Sequence, residues 1–503
     1  LQFGDIPLVT KIISVPKQNY KTTTKEAIFK MLVSDLEFAV EKVPSQRDML
    51  YVGMVNKEAC MHLLAKCYLV IGEYSKAEQM ATKLIEEQGL RLMTEPFGAF
   101  IKSGNDNTWK VERNVLWDLH RGDNVCSPAN KEMIMPILNF NAQNLTGYPV
   151  MRAIGVHWSN GVIRDPSGLS APTSNYARNN GKYNTNLDWL RVLGRGIGCF
   201  RTSYHYNARI WNVDGASDGE DLRHNRKIGN WVEMEDIRYN NPSSPFYDKP
   251  MQLYATKNYV DPKSGIVTVH AGDLLCGDTI RSWYPIPLYK NYVHDQTAEN
   301  NMGANQFNGV STGSNGNMYL FRLAETYLIR AEAKFYQGNS AGAASDVNAV
   351  RSRAKARHMF ENVTIGDIVD ERARELFFEE WRQAELVRVS WCLAKSGKAD
   401  EWGNTYDLKN WDKQEGVDKS GGSYWFRRLT TYSLFNKGVI QSNGTSFNFQ
   451  VNKHNLFWPI PNSAITANNG ARLQQNFGYD GYDASIEMWS SWEDAVADED
   501  KTK

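Results

Sequence analysis

Two stretches of the chain place apolar and small residues on one face of a helix, stop at a glycine and then resume. The first covers residues 55–88 and turns at Gly72, and the second covers residues 319–357 and turns at Gly338. Glycine adopts the left-handed backbone conformation at little cost, which suits the end of a helix. The repeated pattern is typical of the helix–turn–helix units of tetratricopeptide repeats, which build scaffolds and concave surfaces.

Two further segments have helical periodicity. Residues 24–43 carry apolar positions at spacings of three and four, and Thr23 with Glu26 has the spacing of a capping box. Residues 365–394 predict one long helix. We therefore expect a mostly α-helical scaffold built around the two helix pairs.

Three glutamates of the long helix, Glu371, Glu375 and Glu379, recur at every fourth position with arginines between them. We interpret them as partners in ion pairs three or four residues apart, which orient the helix against the repeats. The alternative is a carboxylate pair for acid–base hydrolysis of a glycosidic bond. Such carboxylates face each other across a cleft, roughly 5–10 Å apart, and residues of one helix do not provide that arrangement.

The segment between the two helix pairs has a different amino-acid composition. It is rich in Gly, Asn, Pro, Trp and Tyr, and it contains short β-like runs such as Asn114–Leu119 and Gly265–His270. This pattern predicts a loop-rich, partly β insertion on the helical base, where binding residues tend to gather. The predicted parts are residues 1–94, the insertion 95–318, the second helix pair with the long helix at 319–394, and an irregular C-terminal region at 395–503.

The amino-acid composition and net charge favour some classes of function over others. Lysine plus arginine equals aspartate plus glutamate, at 57 each, so the formal net charge is zero. A balanced charge argues against a general nucleic-acid binder, which needs cations for phosphates. The 15 Trp and 24 Tyr offer rigid area with a polar edge, which suits stacking on sugars or holding peptides as well as filling a large core.

Other chemical signals are weak. The six cysteines form no CxxC pair and no cluster with histidine at metal-ligand spacing. The acidic, glycine-rich loop Asp214–Asp221 has oxygen atoms of the kind that bind Ca²⁺, but its spacing does not match an EF-hand. We expect no cofactor, with calcium as the alternative, and the usual motifs of hydrolases, zinc enzymes and nucleotide-binding folds are missing from the sequence.

Several blocks of the chain, in order, resemble the SusD/RagB family of outer-membrane nutrient-binding lipoproteins from Bacteroidetes. The block Phe321–Ala333 is similar to the most specific stretch of that family, and Phe477 departs from it where a proline is usual. The other blocks are Phe3–Val9, Ala59–Gly89, Arg113–Trp117, Val347–Ala354, Glu371–Arg388, Trp458–Pro461 and Leu473–Tyr479.

The resemblance implies a cell-surface protein that captures a glycan and caps a SusC-like TonB-dependent transporter in the outer membrane, without turning the glycan over. It also implies an upstream segment with a signal peptide, a lipid-bearing cysteine and the first helices, so we expect a lipid anchor outside these residues. Oligopeptide capture in the same role is the first alternative, and a glycoside hydrolase is the second. A scaffold that binds only the transporter is a third.

By the same resemblance, ligand choice resides in the insertion. Sugar rings present apolar C–H faces that stack on Trp and Tyr, and their hydroxyls need polar partners. The stacking candidates are Trp158, Trp189, Tyr204, Tyr206, Trp211, Trp231, Trp283 and Tyr284. The candidate polar partners are Asn160, Arg164 and Arg209.

Overall fold

The computed structural model describes residues 2–14, 17–104, 106–139, 149–173, 187–295, 313, 315–409, 411–412, 422–442 and 445–501. Part of the predicted insertion therefore lies outside the described residues. The described chain is mostly helical, and its short strands pair two at a time. This confirms the fold class expected from the sequence.

The N-terminal part contributes a short antiparallel ribbon and three helices. They are β1 (Ile6–Pro7), β2 (Thr22–Thr23), α1 (Lys25–Lys42), α2 (Lys57–Ile71) and α3 (Tyr74–Glu87), with a 3-10 turn at Gln46–Asp48. The helix predicted over 24–43 is confirmed, but its cap is Thr24 and not Thr23. The Thr24 hydroxyl accepts a hydrogen bond from the Ala27 N–H at 3.4 Å, while Thr23 belongs to β2.

The described part of the insertion is built from short elements around a large apolar core of its own. Its helices are α4 (Val115–Leu119), α5 (Gly122–Val125), α6 (Val150–Ala153), α7 (Trp189–Leu193), α8 (Tyr204–Asn207) and α9 (Leu288–Asn291). Its strands are β3 (Met133–Ile137), β4 (Asn212–Val213), β5 (Ala216–Ser217), β6 (Trp231–Val232), β7 (Tyr259–Val260), β8 (Val267–Val269) and β9 (Ile286–Pro287). Two 3-10 turns lie at Arg209–Trp211 and Met234–Asp236.

One predicted strand is wrong. The run Asn114–Leu119 forms helix α4, because the Asn114 side chain accepts a hydrogen bond from the Trp117 N–H at 3.0 Å and so starts a helix. The other β-like run, Gly265–His270, does contain a strand, since β8 pairs with β7.

The second helix pair consists of α10 (Leu323–Tyr336) and α11 (Ser340–Arg353). The sequence placed the start of this pair at residue 319, but β10 (Met318–Arg322) precedes α10 and pairs antiparallel with β3. Backbone pairing with a strand of the insertion holds these residues extended and delays the helix by four positions. The ribbon joins the insertion to the helical scaffold.

Both predicted glycine turns are confirmed. At Gly72 the backbone has φ +86°, and the Glu73 N–H donates to the Tyr68 carbonyl at 2.9 Å. At Gly338 φ is again +86°, and the next N–H donates to the Lys334 carbonyl at 2.9 Å. These bonds close the last turn of each helix while the chain reverses.

The single long helix predicted over 365–394 is wrong, because the structure has α12 (Ile365–Glu375), a break, and α13 (Arg382–Ser396). The carbonyl of Glu375 accepts hydrogen bonds from Arg322 Nη2 at 3.0 Å and from Lys290 Nζ at 2.7 Å. Charged donors thus occupy the carbonyl that a continuing helix would use. Phe378, inside the break, has φ +65°, a conformation that few residues other than glycine adopt.

The glutamates of this region are buried and pair mainly with arginines of other segments. Glu371 and Glu375 are 0 and 1% exposed. Glu371 pairs with Arg223, Arg351 and Arg374, and Glu375 pairs with Arg223, Arg322 and Arg353. The predicted pairing within the helix is confirmed for Glu371 and Arg374, at 2.6 Å. The remaining partners link α12 to the insertion, to β10 and to α11, so the network fastens the insertion to the helical scaffold.

The C-terminal region covers the helical core. Its elements are α14 (Tyr424–Tyr432), β11 (Ile440–Ser442), β12 (Thr445–Phe447), a 3-10 turn at Lys453–Leu456, α15 (Asn462–Ala467) and α16 (Trp492–Lys501). Leu456 and Phe457 are buried among residues of α2 and α13. The segment that follows them, Trp458–Pro461, is tied down by hydrogen bonds from the Trp458 N–H to the Gln2 carbonyl and from the Ile460 N–H to Gln475.

Candidate ligand-binding cavity

Four of the predicted stacking residues lie in the core. Trp158, Trp189, Trp211 and Trp231 are 0 or 1% exposed. Their indole N–H groups donate to the carbonyls of Gly194, Arg238 and Tyr206 and to the Glu233 carboxylate, at 2.6–3.0 Å. A ring without exposed surface offers no face to a sugar in this structure, and contact with ligand stays a prediction for these four. The high tryptophan content of the insertion serves its core.

Five other candidates lie outside the cavity between the insertion and the helices. Tyr204 is 70% exposed at the start of α8, with the Arg209 guanidinium 5.9 Å from its ring centre, and Trp283 packs partly buried against the insertion core. Asn160 accepts from the Val162 N–H at 3.1 Å, and Arg164 donates to the Gly168 carbonyl at 3.3 Å, so both hold their own turns. Contact with ligand stays a prediction for these five.

The remaining two candidates, Tyr206 and Tyr284, line a cavity of about 440 Å³ between the insertion and the helices. Its wall comes mainly from four segments: residues 200–203, 205 and 206, residues 284–287 and 291, the break between α12 and α13 with the adjoining turns of both helices, and the C-terminal half of α14. Most of the wall is apolar, and it includes Ile154, Phe200, Ile286, Leu376, Phe377 and Leu429.

The aromatic rings of the cavity are held in fixed positions. Tyr206 stacks on Phe377 with ring centres 4.5 Å apart, which joins the insertion to the helix break. The Tyr284 hydroxyl lies 2.9 Å from the Ile154 carbonyl and 3.0 Å from that of Phe200. Pairing of β9 with β6 holds the chain that follows Tyr284. At the mouth, the Phe200 ring is 57% exposed and offers an open face.

Buried polar atoms without hydrogen-bond partners surround this cavity. Among the described residues, Asn291 has partners for neither its Nδ2 nor its Oδ1, although the side chain is 0% exposed. The Tyr206 hydroxyl, Arg372 Nη1 and His205 Nδ1 are in the same situation. Nearly all buried polar groups in proteins are hydrogen-bonded, so four such residues around one space indicate a site for a polar ligand or ordered water.

A charged cluster orients His205. Its Nε2 lies 2.8 Å from an Asp370 oxygen, and Asp370 also pairs with Arg428. Burial raises the pKa of Asp370, but the positive charge of Arg428 and the hydrogen bond from His205 outweigh this and hold the pKa below its ordinary value. With Nε2–H donating to that carboxylate, Nδ1 is the ring nitrogen left without a hydrogen-bond partner in the described structure. The imidazole is stacked on Tyr432 at 3.9 Å.

Sequence reasoning named Tyr206 and Tyr284 but missed Asn291, Arg372 and Phe377. Arg372 and Phe377 lie in the block Glu371–Arg388, whose glutamates and arginines we interpreted as structural ion pairs. The local sequence pattern does not distinguish these two residues from their neighbours. Asn291 ends a four-residue helix with no motif around it. The signal that identifies them is three-dimensional, namely their convergence on one space.

Most of the carboxylates considered for catalysis or calcium are already in ion pairs. Positive neighbours outweigh the effect of burial and lower the pKa of Glu371 to about 2, so it is an ion-pair partner and not a proton donor near neutral pH. In the acidic loop, Asp218 pairs with Arg357 and Asp221 with Arg223. Within the described ranges, no group of three or more histidines, cysteines and acidic residues is arranged to hold a metal ion.

None of the helices in the described part of the chain is long and apolar enough to span a membrane.

A comparison with solved structures finds one that shares this architecture. A solved SusD superfamily protein from Bacteroides fragilis superposes with a TM-score of 0.51 at 14% identity, over 96% of this chain and 76% of that one. A surface glycan-binding protein from Bacteroides uniformis gives a TM-score of 0.49 at 16% identity, over 94% of this chain and 73% of that one.

Sequence comparison places the chain in a family. The starch-binding protein SusD of Bacteroides thetaiotaomicron is 35% identical over 160 residues, which are 32% of this chain and 21% of that protein. The match thus spans about a fifth of the length of this curated relative. The sequence model of the SusD family matches residues 166–479, more than half of the chain. The chain therefore belongs to the SusD family, as its sequence blocks indicated.

Proposed function

We propose that this protein is a cell-surface glycan-binding lipoprotein that captures an oligosaccharide or polysaccharide. In the proposed role it acts as the lid of a SusC-like TonB-dependent transporter and delivers the glycan to it. A lipid anchor holds it at the extracellular face of the outer membrane. The observation that carries the proposal is the family match over residues 166–479, together with a relative that binds starch.

The cavity between the insertion and the helices is the proposed site. Its volume of about 440 Å³ lies within the range of small-molecule sites, about 300–1,000 Å³. Aromatic rings can stack on the C–H faces of a sugar, while Asn291, Tyr206 and Arg372 can bond to its hydroxyls. A space of this size takes a chain end or a side branch of a glycan, and the rest of the chain stays outside.

Binding without turnover is part of the proposal. The buried glutamates of α12 form ion pairs with arginines. Delivery of the glycan to a transporter requires that it leave the site intact and does not require its cleavage. Ligand binding would shift the balance between open and closed positions of the lid. Incubation with polysaccharide should therefore release no new reducing ends, and their steady release would contradict this part.

Calorimetric titration against a panel of neutral and acidic oligosaccharides and of oligopeptides tests the proposal. We expect the wild type to bind a glycan and Asn291→Leu, which keeps the branching and the number of heavy atoms but removes both polar atoms, to bind it at least tenfold more weakly. Tyr51→Ala, which removes an exposed ring that is outside the cavity and is not a predicted ligand contact, should bind as the wild type does. Circular dichroism verifies that both variants fold.

Oligopeptide capture in the same role is the second candidate, because the mostly apolar wall also suits an apolar side chain. If peptides bind and no glycan does, the glycan proposal is wrong and the peptide role replaces it. If a glycan binds equally well to Asn291→Leu, the ligand class stands but the cavity is not its site.

A further inference from the structure

The charged residues that line the cavity are mostly cations. Four guanidinium groups, those of Arg201, Arg372, Arg382 and Arg428, form part of its wall, whereas Glu380 is the one carboxylate found there among the described residues. Arginine side chains gathered on one inner surface create a positive potential inside a poorly solvated space.

The carboxylates that balance these arginines lie mainly behind the wall. Arg428 pairs with Asp370 and with Glu401, the latter at 2.7 Å, and neither carboxylate lines the cavity. Arg372 pairs with Glu325 at 2.8 Å and with Glu385 at 3.2 Å, both behind the wall, and with Glu380 at 2.6 Å. The negative charge is therefore farther from the cavity than the positive charge.

One of the cations keeps capacity for an anion. Arg372 does not, because four carboxylates already surround its guanidinium group, those of Glu325, Glu332, Glu380 and Glu385. Arg201 donates to the Thr279 carbonyl at 2.9 Å, and its guanidinium carbon lies 5.7 Å from the Tyr284 ring centre. No carboxylate of the described residues lies within 4.0 Å of Arg201.

We infer that the sugar entering this cavity is an acidic one, carrying a carboxylate or a sulfate ester. This inference rests on the proposed glycan-binding function and adds its substrate class. The anionic oxygens would accept from Asn291 Nδ2 inside and from Arg201 at the mouth, while the ring lies against the aromatic wall. Hydrogen bonds between charged groups are about twice as strong as neutral ones, so a neutral sugar forgoes the largest contribution available here.

Pairs of oligosaccharides that differ only in charge test the inference. One pair is an oligogalacturonide and its methyl ester, and the other is a sulfated galactan oligosaccharide and its desulfated form. Starch, laminarin and xyloglucan oligosaccharides complete the neutral set. We expect one acidic member to bind at least tenfold more tightly than its neutral partner, with a dissociation constant that rises with salt. The pair that shows the preference distinguishes carboxylate from sulfate.

Variants at the mouth assign that preference to the cavity. Arg201→Gln should reduce the ratio of acidic to neutral affinity several-fold, whereas Arg201→Lys retains most of it. Arg472→Gln, an exposed arginine that pairs with Asp483 outside the cavity, should leave the ratio unchanged.

Each other result overturns a definite statement. Glycan binding without preference for charge, or a preference unaffected by Arg201→Gln, overturns the acidic class and leaves the glycan function intact. Binding of peptides with no binding of any acidic or neutral glycan overturns the proposed function and this inference with it.

Discussion

Asn291, Tyr206 and Arg372 show how single side chains define the candidate site. Each residue lines the same cavity, is more than nine-tenths buried and carries a polar atom without a hydrogen-bond partner in the described structure. A buried polar group left unbonded costs about 1–3 kcal/mol. A fold that keeps several of them around one cavity gives up stability that a bound ligand can restore.

Tyr206→Phe tests this argument through the sign of the stability change. Removal of an unpartnered buried hydroxyl should raise the free energy of unfolding of the ligand-free protein by about 1 kcal/mol, and should weaken ligand binding by a similar amount. Tyr284→Phe is the matched control, since its hydroxyl lies within hydrogen-bond distance of two carbonyls. The free energy of unfolding of that variant, measured in urea, should be lower by about 1 kcal/mol. Destabilisation of equal size in both variants would contradict this argument.

Because His224 is buried, we expect the protein to lose stability in mild acid. It is stacked against Trp211 and packed beside Trp231, and burial there lowers its pKa from 6.5 to about 4. Between these values the unfolded chain binds a proton that the folded chain does not, so stability falls as pH drops through this window. The shift corresponds to about 3 kcal/mol once pH 4 is reached.

Urea unfolding at pH 7, 6, 5 and 4 measures this slope. His224→Asn should remove the part of the pH-dependent fall in unfolding free energy that His224 contributes. We expect this change of slope whatever the stability of the variant at pH 7. An unchanged slope in the variant, or a wild-type stability that rises from pH 7 to pH 5, would contradict the assignment.

At the scale of elements, the helix break between Glu375 and Arg382 determines the cavity. The break carries Phe377 and Phe378 into the space between the scaffold and the insertion. Arg322 and Lys290 hold it by donating to the Glu375 carbonyl, and Arg322 also pairs with the Glu375 carboxylate at 2.6 Å. The same network that fastens the insertion to the scaffold therefore shapes the wall of the site.

The glycine turns of the helix pairs allow a direct test. Gly338→Ala places a Cβ at φ +86°, where the only described contact, 3.3 Å from Lys398 Nζ, is with a flexible side-chain end. The expected loss of about 1–2 kcal/mol in unfolding free energy is therefore backbone strain. Gly219→Ala, where the Cβ meets no atom within 4 Å, should change stability by less than about 0.5 kcal/mol. Equal effects at the two positions would show that Gly338 does not act through its left-handed conformation.

At the scale of the whole molecule, the sequence predicted the scaffold better than the site. Helical periodicity and the turns at Gly72 and Gly338 are local signals, so the helix pairs could be placed to within a few residues. The break after Glu375 could not, because its cause is Arg322 and Lys290, which are far away along the chain. Asn114 shows the same limit on a small scale, since one capping side chain turned an apparent strand into a helix.

The ligand site was the hardest part to predict, for a physical reason. Tryptophans attract attention as sugar-stacking residues, yet Trp158 and Trp231 fill the core of a region that has few regular elements to pack. The cavity instead takes its wall from four segments that are separated in sequence. Only their packing reveals that Asn291 and Arg372 face the same space.

The most direct measurement is a crystal structure of the protein with the tightest-binding oligosaccharide of the panel. The account predicts a sugar ring against Phe377 and Tyr206, with its polar groups bonded to Asn291 and Arg372. A glycan bound elsewhere, for instance on the exposed ring of Tyr204, with the cavity unchanged, would contradict it.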